Sequence, residues 1–285
     1  MRVSKICLAL TLTTLAAANS ASAQNVLWYG TDAPYATPLA TLAAGNGWTL
    51  TMWNPGGPTP VFSAYNVFVI GSDIGGWSTF PDYTRLLTAN SAVLAARGAR
   101  TFLSGQDADW HYENSPGPGA FNGPRGFLTD AVNWAAAGGG LGIVALSADQ
   151  WWNNAGSFLC AVDGICGKDT GNSSNSVIIP GPTAGFPVNA GLTSAGLSNW
   201  STSSHTDFYS NIPGYLSIND DGNAPNCSLL FGTSAAGTGS CRVTIVTASE
   251  AGGGTTLTPE PATMTMLATG LVGLAGAARR RRRKA

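Results

Sequence analysis

The first half of the chain alternates short apolar segments of β type with segments in which leucine and alanine recur at helical spacing. The apolar segments, in chain order, are NVLWYG, WTLTMWN, YNVFVIGSD, TFLSG and LGIVALS. The helical segments, each with glycine at or near its end, are ATPLATLAAGNG, PDYTRLLTANSAVLAARGAR and GPRGFLTDAVNWAAAGGG. Apolar strands with helices between them predict a mostly parallel sheet that is buried on both faces.

This order of elements predicts an α/β domain over residues 24–250. Because crossovers between parallel strands are right-handed, helices should cover both faces of the sheet in a doubly wound, flavodoxin-like layer. After Asp149 the pattern degrades into stretches rich in Gly, Asn and Ser, although GYLSIND, CSLLFGT and CRVTIVTAS keep the character of strands. We therefore expect a loop-rich C-terminal part after the regular layer.

Both ends of the chain have the character of export signals. Residues 1–23 combine a basic start, an apolar run and small residues before Gln24, which is the layout of a cleaved secretory signal peptide. Residues 262–278 carry no charge and would reach roughly 25 Å as a helix, barely enough to cross a bilayer. The arginines and lysine at 279–284 should then stay on the cytoplasmic side. The alternative for this tail is a core helix with a basic, nucleic-acid-binding end.

The sequence Pro259-Glu260-Pro261, followed by a short apolar segment and an arginine cluster, resembles the PEP-CTERM protein-sorting signal of Gram-negative bacteria. The resemblance covers residues 259–285, and it implies a transient inner-membrane anchor that an exosortase recognises and cuts near the motif. It further implies that the secretion machinery exports the protein, which then reaches the cell surface or the extracellular matrix. Residues 251–258, rich in glycine and threonine, are by composition a flexible linker before the motif.

Removing both ends changes the charge of the chain. Residues 24–258 hold six basic and fourteen acidic side chains, so their net charge is 6 − 14 = −8, whereas the whole chain has −1. Nucleic acids and anionic lipids bind positive patches, so this balance argues against both as partners of the domain.

The cysteines fit an oxidising compartment. Cys7 leaves with the signal peptide, and the others form two close pairs, Cys160 with Cys166 and Cys227 with Cys241. An even count in an exported chain predicts disulfides, and sequential pairing is favoured among the three possible connectivities. A structural zinc site is the alternative, but neither pair has CxxC spacing.

The order of elements over residues 25–150 is similar to class I glutamine amidotransferase-like domains, a group that includes ThuA-like proteins. In catalytic members a strand ends in a tight turn with a cysteine nucleophile, and a later His-x-Glu completes the triad. The corresponding turn here, after TFLS, begins at Gly105 and carries neither cysteine nor serine. His205 and Asp207 resemble the second half of that pattern only in part, with aspartate in place of glutamate. They could serve as base and orienter, and the alternative without a nucleophile is a surface or loop feature.

The segment QDADWHYE is the densest in chemically active side chains. If it is extended, period-two geometry places four of them on one face, Asp107, Asp109, His111 and Glu113, with Gln106 and Trp110 on the other. Asp73, after the third strand, would lie at the same edge of the sheet, where open α/β sheets bind ligands. Such a set could hold Ca²⁺ or Mg²⁺, or supply a general acid and base to a sugar.

Four tryptophans near this segment in sequence suit stacking on sugar rings: Trp77, Trp110, Trp151 and Trp152. The alternative for the whole region is a solvated loop whose acids cap turns and whose tryptophans pack beneath it. Asp73 would then form an Asx turn with the glycines that follow.

Two functional hypotheses remain. In the first, the protein is an exosortase-processed surface or matrix protein with a non-catalytic domain that binds carbohydrate, such as exopolysaccharide, or divalent cations. In the second, it is an extracellular hydrolase of glycan or peptide that acts through Asp107, Asp109, His111 or His205. The absence of a nucleophile at the expected turn favours the first, and the clustered acids keep the second open. A contact between His205 or Asp207 and the Asp107 cluster would distinguish them.

Overall fold

The structure, a computed structural model, describes residues 23–30, 36–53, 57–72, 83–114, 122–208, 212–223 and 242–248. The helices are α1 (Ala36–Asn46), α2 (Tyr83–Ala96), α3 (Ala108–Asn114), α4 (Asn122–Ala136), α5 (Asp149–Trp152) and α6 (Phe158–Ala161). The strands of the first half are β1 (Asn25–Tyr29), β2 (Thr49–Met52), β3 (Val67–Ile70), β4 (Arg97–Ser104) and β5 (Leu141–Leu146). Those of the second half are β6 (Asp169–Ser174), β7 (Val177–Ile178), β8 (Ser204–Phe208), β9 (Tyr215–Asp221) and β10 (Arg242–Thr247).

The first five strands form the parallel part of one sheet, in the order β2-β1-β3-β5-β4. Each coincides with an apolar segment of the sequence, which confirms the predicted α/β class and the parallel core. The flavodoxin-like order 2-1-3-4-5 is not confirmed, because the last two strands are exchanged. As a result β5 lies between β3 and β4, and β4 pairs with β10 from the second half of the chain.

Helices cover both faces of the parallel strands, as predicted. Successive side chains of a strand point to opposite faces, so Val26 and Trp28 of β1 pack with α1, α3 and α4, whereas Leu27 and Tyr29 pack with α2, α5 and α6. All four side chains are at most 1% exposed. Burial of an aliphatic or aromatic side chain of this size contributes about 1.5–3 kcal/mol each, so these two layers hold the sheet together.

An antiparallel extension continues the sheet beyond β4. β10 pairs antiparallel with β4, β8 and β9, while β6 adds to β8 and β7 adds to β9. The strand character of β9 and β10 was predicted from sequence, but β6 and β8 lie in the region predicted as loop. Pairing with β10 and β6 therefore carries the segment SHTDF against the end of β4.

The predicted disulfide between Cys160 and Cys166 is present. Its loop carries Asp163, whose carboxylate accepts hydrogen bonds from both terminal nitrogens of Arg97 at 2.9 and 2.6 Å and from the hydroxyl of Tyr215. The loop is thereby tied to β4 and β9. Cys227 and Cys241 lie outside the described residues, so their pairing stays a prediction.

In the part of the chain that the structure describes, no helix is both long and apolar enough to cross a bilayer. The predicted span 262–278, the linker 251–258 and residues 1–22 of the predicted signal peptide lie outside the described residues. These boundaries therefore stay predictions.

Candidate functional site

The candidate site is built where β4 ends. The turn of Gly105 and Gln106 follows this strand, and α3 begins at once, with Asp107 directly before it. The backbone N–H of His111 donates to the carbonyl of Asp107 at 3.1 Å, so the two residues are one helical turn apart and share a face. Their side chains are 2% and 1% exposed.

His205 reaches this turn from β8, far away in sequence. Its backbone N–H donates to the carbonyl of Gly105 at 2.8 Å, and its ring Nε2 lies 3.0 Å from Asp107 Oδ2. The approach requires glycine at 105, since a Cβ there would lie 1.8 Å from the carbonyl oxygen of Thr206. The contact between His205 and the Asp107 segment, on which a composite site depends, is therefore present.

The second imidazole, that of His111, lies between two acceptors. Its Nε2 is 2.8 Å from the carbonyl oxygen of Thr202 and 3.2 Å from Asp107 Oδ1. Because both neighbours only accept, Nε2 carries the ring proton, and a single N–H can point well at one of them. The nearer carbonyl takes it, so Asp107 Oδ1 is a buried carboxylate oxygen without a well-directed hydrogen bond.

The charges of the cluster favour an ion pair. Burial alone would raise the pKa of Asp107, but the neighbouring imidazoles of His111 and His205 outweigh it and lower that pKa from its usual 3.8. Burial alone would lower the pKa of His205, but its hydrogen bond to Asp107 and the negative charges of Asp107 and Asp149 raise it above 6.5. Both shifts favour the charged pair, a carboxylate beside an imidazolium.

The carboxylate of Asp109 hydrogen-bonds to Ser72 instead of joining the cluster. Its Oδ2 accepts the backbone N–H of Ser72 at 2.8 Å, and its Oδ1 accepts the Ser72 hydroxyl at 2.6 Å, which ties α3 to the end of β3. Burial raises the pKa of Asp109 to about 6 against these hydrogen bonds. A Cβ at Gly71 would lie 2.8 Å from the same carboxylate, so glycine at 71 leaves room for it.

The prediction of an extended QDADWHYE is wrong, because residues 108–114 are helical. Helical spacing brings Asp107 and His111 together and sends Asp109 elsewhere. Trp110 packs edge-on against the ring of His111, with centroids 4.8 Å apart, rather than on an opposite face. Gln106 is buried, and its side-chain N–H donates to the carbonyl of Leu197 at 3.2 Å. That N–H is therefore bonded within the protein and not presented to a ligand.

Among the described residues, three others that were predicted for the site have different surroundings. The carboxylate of Asp207 lies 3.5 Å from the hydroxyl of Ser204, and the carboxylate that orients His205 is Asp107 instead. Trp151 and Trp152 are at most 1% exposed, so they are core residues and not a stacking surface for sugars. Asp73 and Trp77 lie outside the described residues, as does the side chain of Glu113.

Strained backbone surrounds the cluster. Among the described residues, positive φ angles outside glycine occur at Ser147 (41°), Asn199 (65°) and Ser201 (85°). Ser147 donates its hydroxyl to the carbonyl of Gly105 at 2.7 Å, and the other two residues lie just before Thr202 in the chain. Such conformations cost about 1–3 kcal/mol each and collect at functional sites. Sequence reasoning missed these residues because a positive φ outside glycine leaves no periodic signal.

The cluster has the donors of a metal site. One ligand atom from each of Asp107, His111 and His205 lies within 4.8 Å of the other two. Two imidazoles and one carboxylate suit Zn²⁺ and neighbouring transition metals, whereas Ca²⁺ and Mg²⁺ prefer oxygen. The buried Oδ1 of Asp107, which lacks a well-directed donor, is the kind of atom that a cation would satisfy.

Comparison with known proteins bears on the tail alone. The PEP-CTERM protein-sorting motif family matches residues 257–283, which confirms the resemblance of the tail and indicates an exported protein that is anchored transiently before processing. No curated protein and no solved structure matches the chain. The amidotransferase-like resemblance of the domain is therefore not supported by any relative.

Proposed function

We propose that the chain is an exosortase-processed surface or extracellular protein whose domain binds a divalent transition-metal ion through Asp107, His111 and His205. The observation that carries the proposal is the convergence of one carboxylate and two imidazoles within 4.8 Å. The export part rests on the sorting motif at residues 257–283.

The spacing of the donors supports a small ion. His205 Nε2 and His111 Nε2 lie 3.0 and 3.2 Å from the two oxygens of Asp107. Ligands about 2.0–2.2 Å from a tetrahedral zinc ion are separated by about 3.3–3.6 Å, so small side-chain movements suffice. We therefore replace the expected Ca²⁺ or Mg²⁺ by Zn²⁺ or a similar ion.

Binding of a metal ion requires a change of tautomer at His111. Its Nε2 carries a proton toward the carbonyl of Thr202, and a metal needs the lone pair of that nitrogen. The neutral ring would move its proton to Nδ1, and Nε2 would turn from Thr202 to the ion. His205 has a side chain 33% exposed, so solvent and ions reach the cluster from its side.

Isothermal titration of the purified protein with ZnCl₂, MnCl₂ and CaCl₂ tests the metal site. We expect one zinc site that is lost in His205→Ala and in His111→Ala and retained in the control Asp130→Asn, an acid on α4 outside the cluster. Tighter binding of Ca²⁺ than of Zn²⁺, or zinc binding unchanged in both histidine variants, would contradict the proposal.

The processing step has its own measurement. The intact mass of the protein from its native host, with and without exosortase, should show loss of the tail near Pro259–Pro261 only when the enzyme is present. A tail retained in both strains would mean a permanent anchor.

A second candidate function is supported by the same pair of side chains. His205 is partly exposed and hydrogen-bonded to the buried carboxylate of Asp107, which is the arrangement of a general base with its orienting acid. The reaction class would be hydrolysis of an extracellular glycan or peptide. Binding of carbohydrate without catalysis has weaker support, since two of the tryptophans expected to stack on sugars are buried.

A further inference from the structure

The backbone carbonyl of Thr202 holds one donor atom of the proposed metal site. His111 Nε2 lies 2.8 Å from this carbonyl oxygen, and it lies 3.2 Å from Asp107 Oδ1. One ring nitrogen cannot donate a proton to a carbonyl and give its lone pair to a metal ion at the same time. The carbonyl of Thr202 therefore competes with an ion for His111.

Hydrogen bonds fix this carbonyl from the side of β6. The next peptide N–H, that of Ser203, donates to the carbonyl of Ser174 at 2.8 Å. The carbonyl of Ser201 accepts the side-chain N–H of Asn175, and the backbone carbonyl of Asn175 accepts the N–H of Asn199 at 2.9 Å. Asn175 thus holds the segment 199–203 through both its side chain and its backbone.

The segment 199–203 adopts strained backbone in order to make these contacts. The φ angle is 65° at Asn199 and 85° at Ser201, and residues other than glycine keep such angles only where the surrounding contacts determine them. Between these two residues, Trp200 is 2% exposed and packs on the imidazole of His111, with ring centroids 5.6 Å apart. The segment therefore confines the ring of His111 as well as binding its Nε2.

We propose that Asn175 and the segment 199–203 form a lock that lowers the affinity of the cluster for its metal ion, so that the ion exchanges instead of staying permanently bound. The inference rests on the proposed metal site and adds a regulation of that site. In the metal-free protein the lock keeps His111 on the carbonyl of Thr202. A zinc ion binds only by breaking this hydrogen bond, and the net contribution of one neutral hydrogen bond corresponds to about a 5-fold change in affinity.

Two variants of exposed residues with opposite expected effects test the lock by isothermal titration with ZnCl₂. Asn175→Ala removes the hydrogen bond to the carbonyl of Ser201, so zinc should bind about 5-fold more tightly than to the wild-type protein. Ser201→Gly suits the positive φ and stabilises the locked segment, so zinc should bind about 5-fold more weakly. Asn154→Ala is the matched control, since the side chain of this exposed asparagine accepts the N–H of Gly156 in a separate turn. Its zinc affinity should equal that of the wild-type protein.

The direction of the change separates a lock from a merely structural role, because a substitution that only loosens the fold would weaken zinc binding. Equal or weaker binding by Asn175→Ala, or equal or tighter binding by Ser201→Gly, would overturn the lock and leave the metal site in place. If Asn175→Ala does not fold, Ser201→Gly decides the question, since glycine readily adopts this φ. Absence of zinc binding by the wild-type protein would reject the metal site and the lock together.

Discussion

Replacing Gly105 with alanine should move β8, which carries His205, away from the turn that carries Asp107. The new Cβ would lie 1.8 Å from the carbonyl oxygen of Thr206, whereas real Cβ contacts essentially never fall below 3.0 Å. The strand that carries His205 must therefore move by at least about 3.0 − 1.8 = 1.2 Å. The backbone fixes the position of the Cβ and its partner is a backbone oxygen, so no side-chain rotation relieves the overlap.

The energetic cost follows from the contacts at Gly105. Its carbonyl accepts the backbone N–H of His205 and the hydroxyl of Ser147. Loss of two neutral hydrogen bonds costs about 1 kcal/mol each, and overpacking adds about 1–3 kcal/mol. We therefore expect the free energy of unfolding to fall by about 3–5 kcal/mol, together with weaker zinc binding through the displaced imidazole.

Urea unfolding of the purified protein, followed by circular dichroism, measures this change. Gly171→Ala in β6 is the matched control, because a Cβ there meets nothing within 4 Å, and its effect should stay within about 1 kcal/mol. Equal midpoints for Gly105→Ala and the wild-type protein would refute the close approach of β8 to the end of β4.

Three further predictions concern titration and strain. Folding lowers the pKa of Asp107 and raises that of His205, so the stabilisation that the pair provides is complete between pH 3.8 and 6.5. It is lost as the pH falls through the folded-state pKa of Asp107, and also as the pH rises through the folded-state pKa of His205. The urea midpoints of the wild-type protein and His205→Ala should therefore differ most inside this window. Ser72→Ala should raise the pKa of Asp109 above about 6, because the hydroxyl bonds the ionised carboxylate; carboxyl NMR titration measures it, and an unchanged or lower value contradicts the assigned contact. Ser147→Gly should be more stable than Ser147→Ala by about 1 kcal/mol in thermal unfolding, since both lose the hydroxyl but only glycine relieves the positive φ, and equal melting temperatures would argue against strain at this turn.

The parallel layer could be predicted from sequence because its strands are continuous apolar runs. VFVI of β3 and LGIVAL of β5 are buried along their whole length, and no other environment suits such segments as well. The exchanged order of β4 and β5 left no local trace, since order in a sheet is set by crossovers and by what pairs at its edges.

The antiparallel extension could not be predicted in the same way. β6 and β8 read DTGNSS and SHTDF, which lack apolar alternation, and Ser204, Thr206 and Asp207 are nonetheless buried. Hydrogen bonds with the neighbouring strands satisfy the backbone groups of these residues. Because those strands are distant in sequence, the local pattern of residues does not predict the pairing. His205 and Asp107 are 98 positions apart in sequence. Their residue types identified each one as a candidate, but their spacing could not predict that they contact each other.

The local period of one short segment decides the chemistry of the candidate site. Extended, QDADWHYE would have gathered Asp107 and Asp109 on one face, an oxygen-rich set suited to calcium. As a helix, it rotates Asp109 to Ser72 and leaves Asp107 facing His111 one turn on, with His205 arriving from β8. The remaining donors are one carboxylate and two imidazoles, so the same residues that predict a hard cation in a strand predict a transition metal, or an acid–base pair, in a helix.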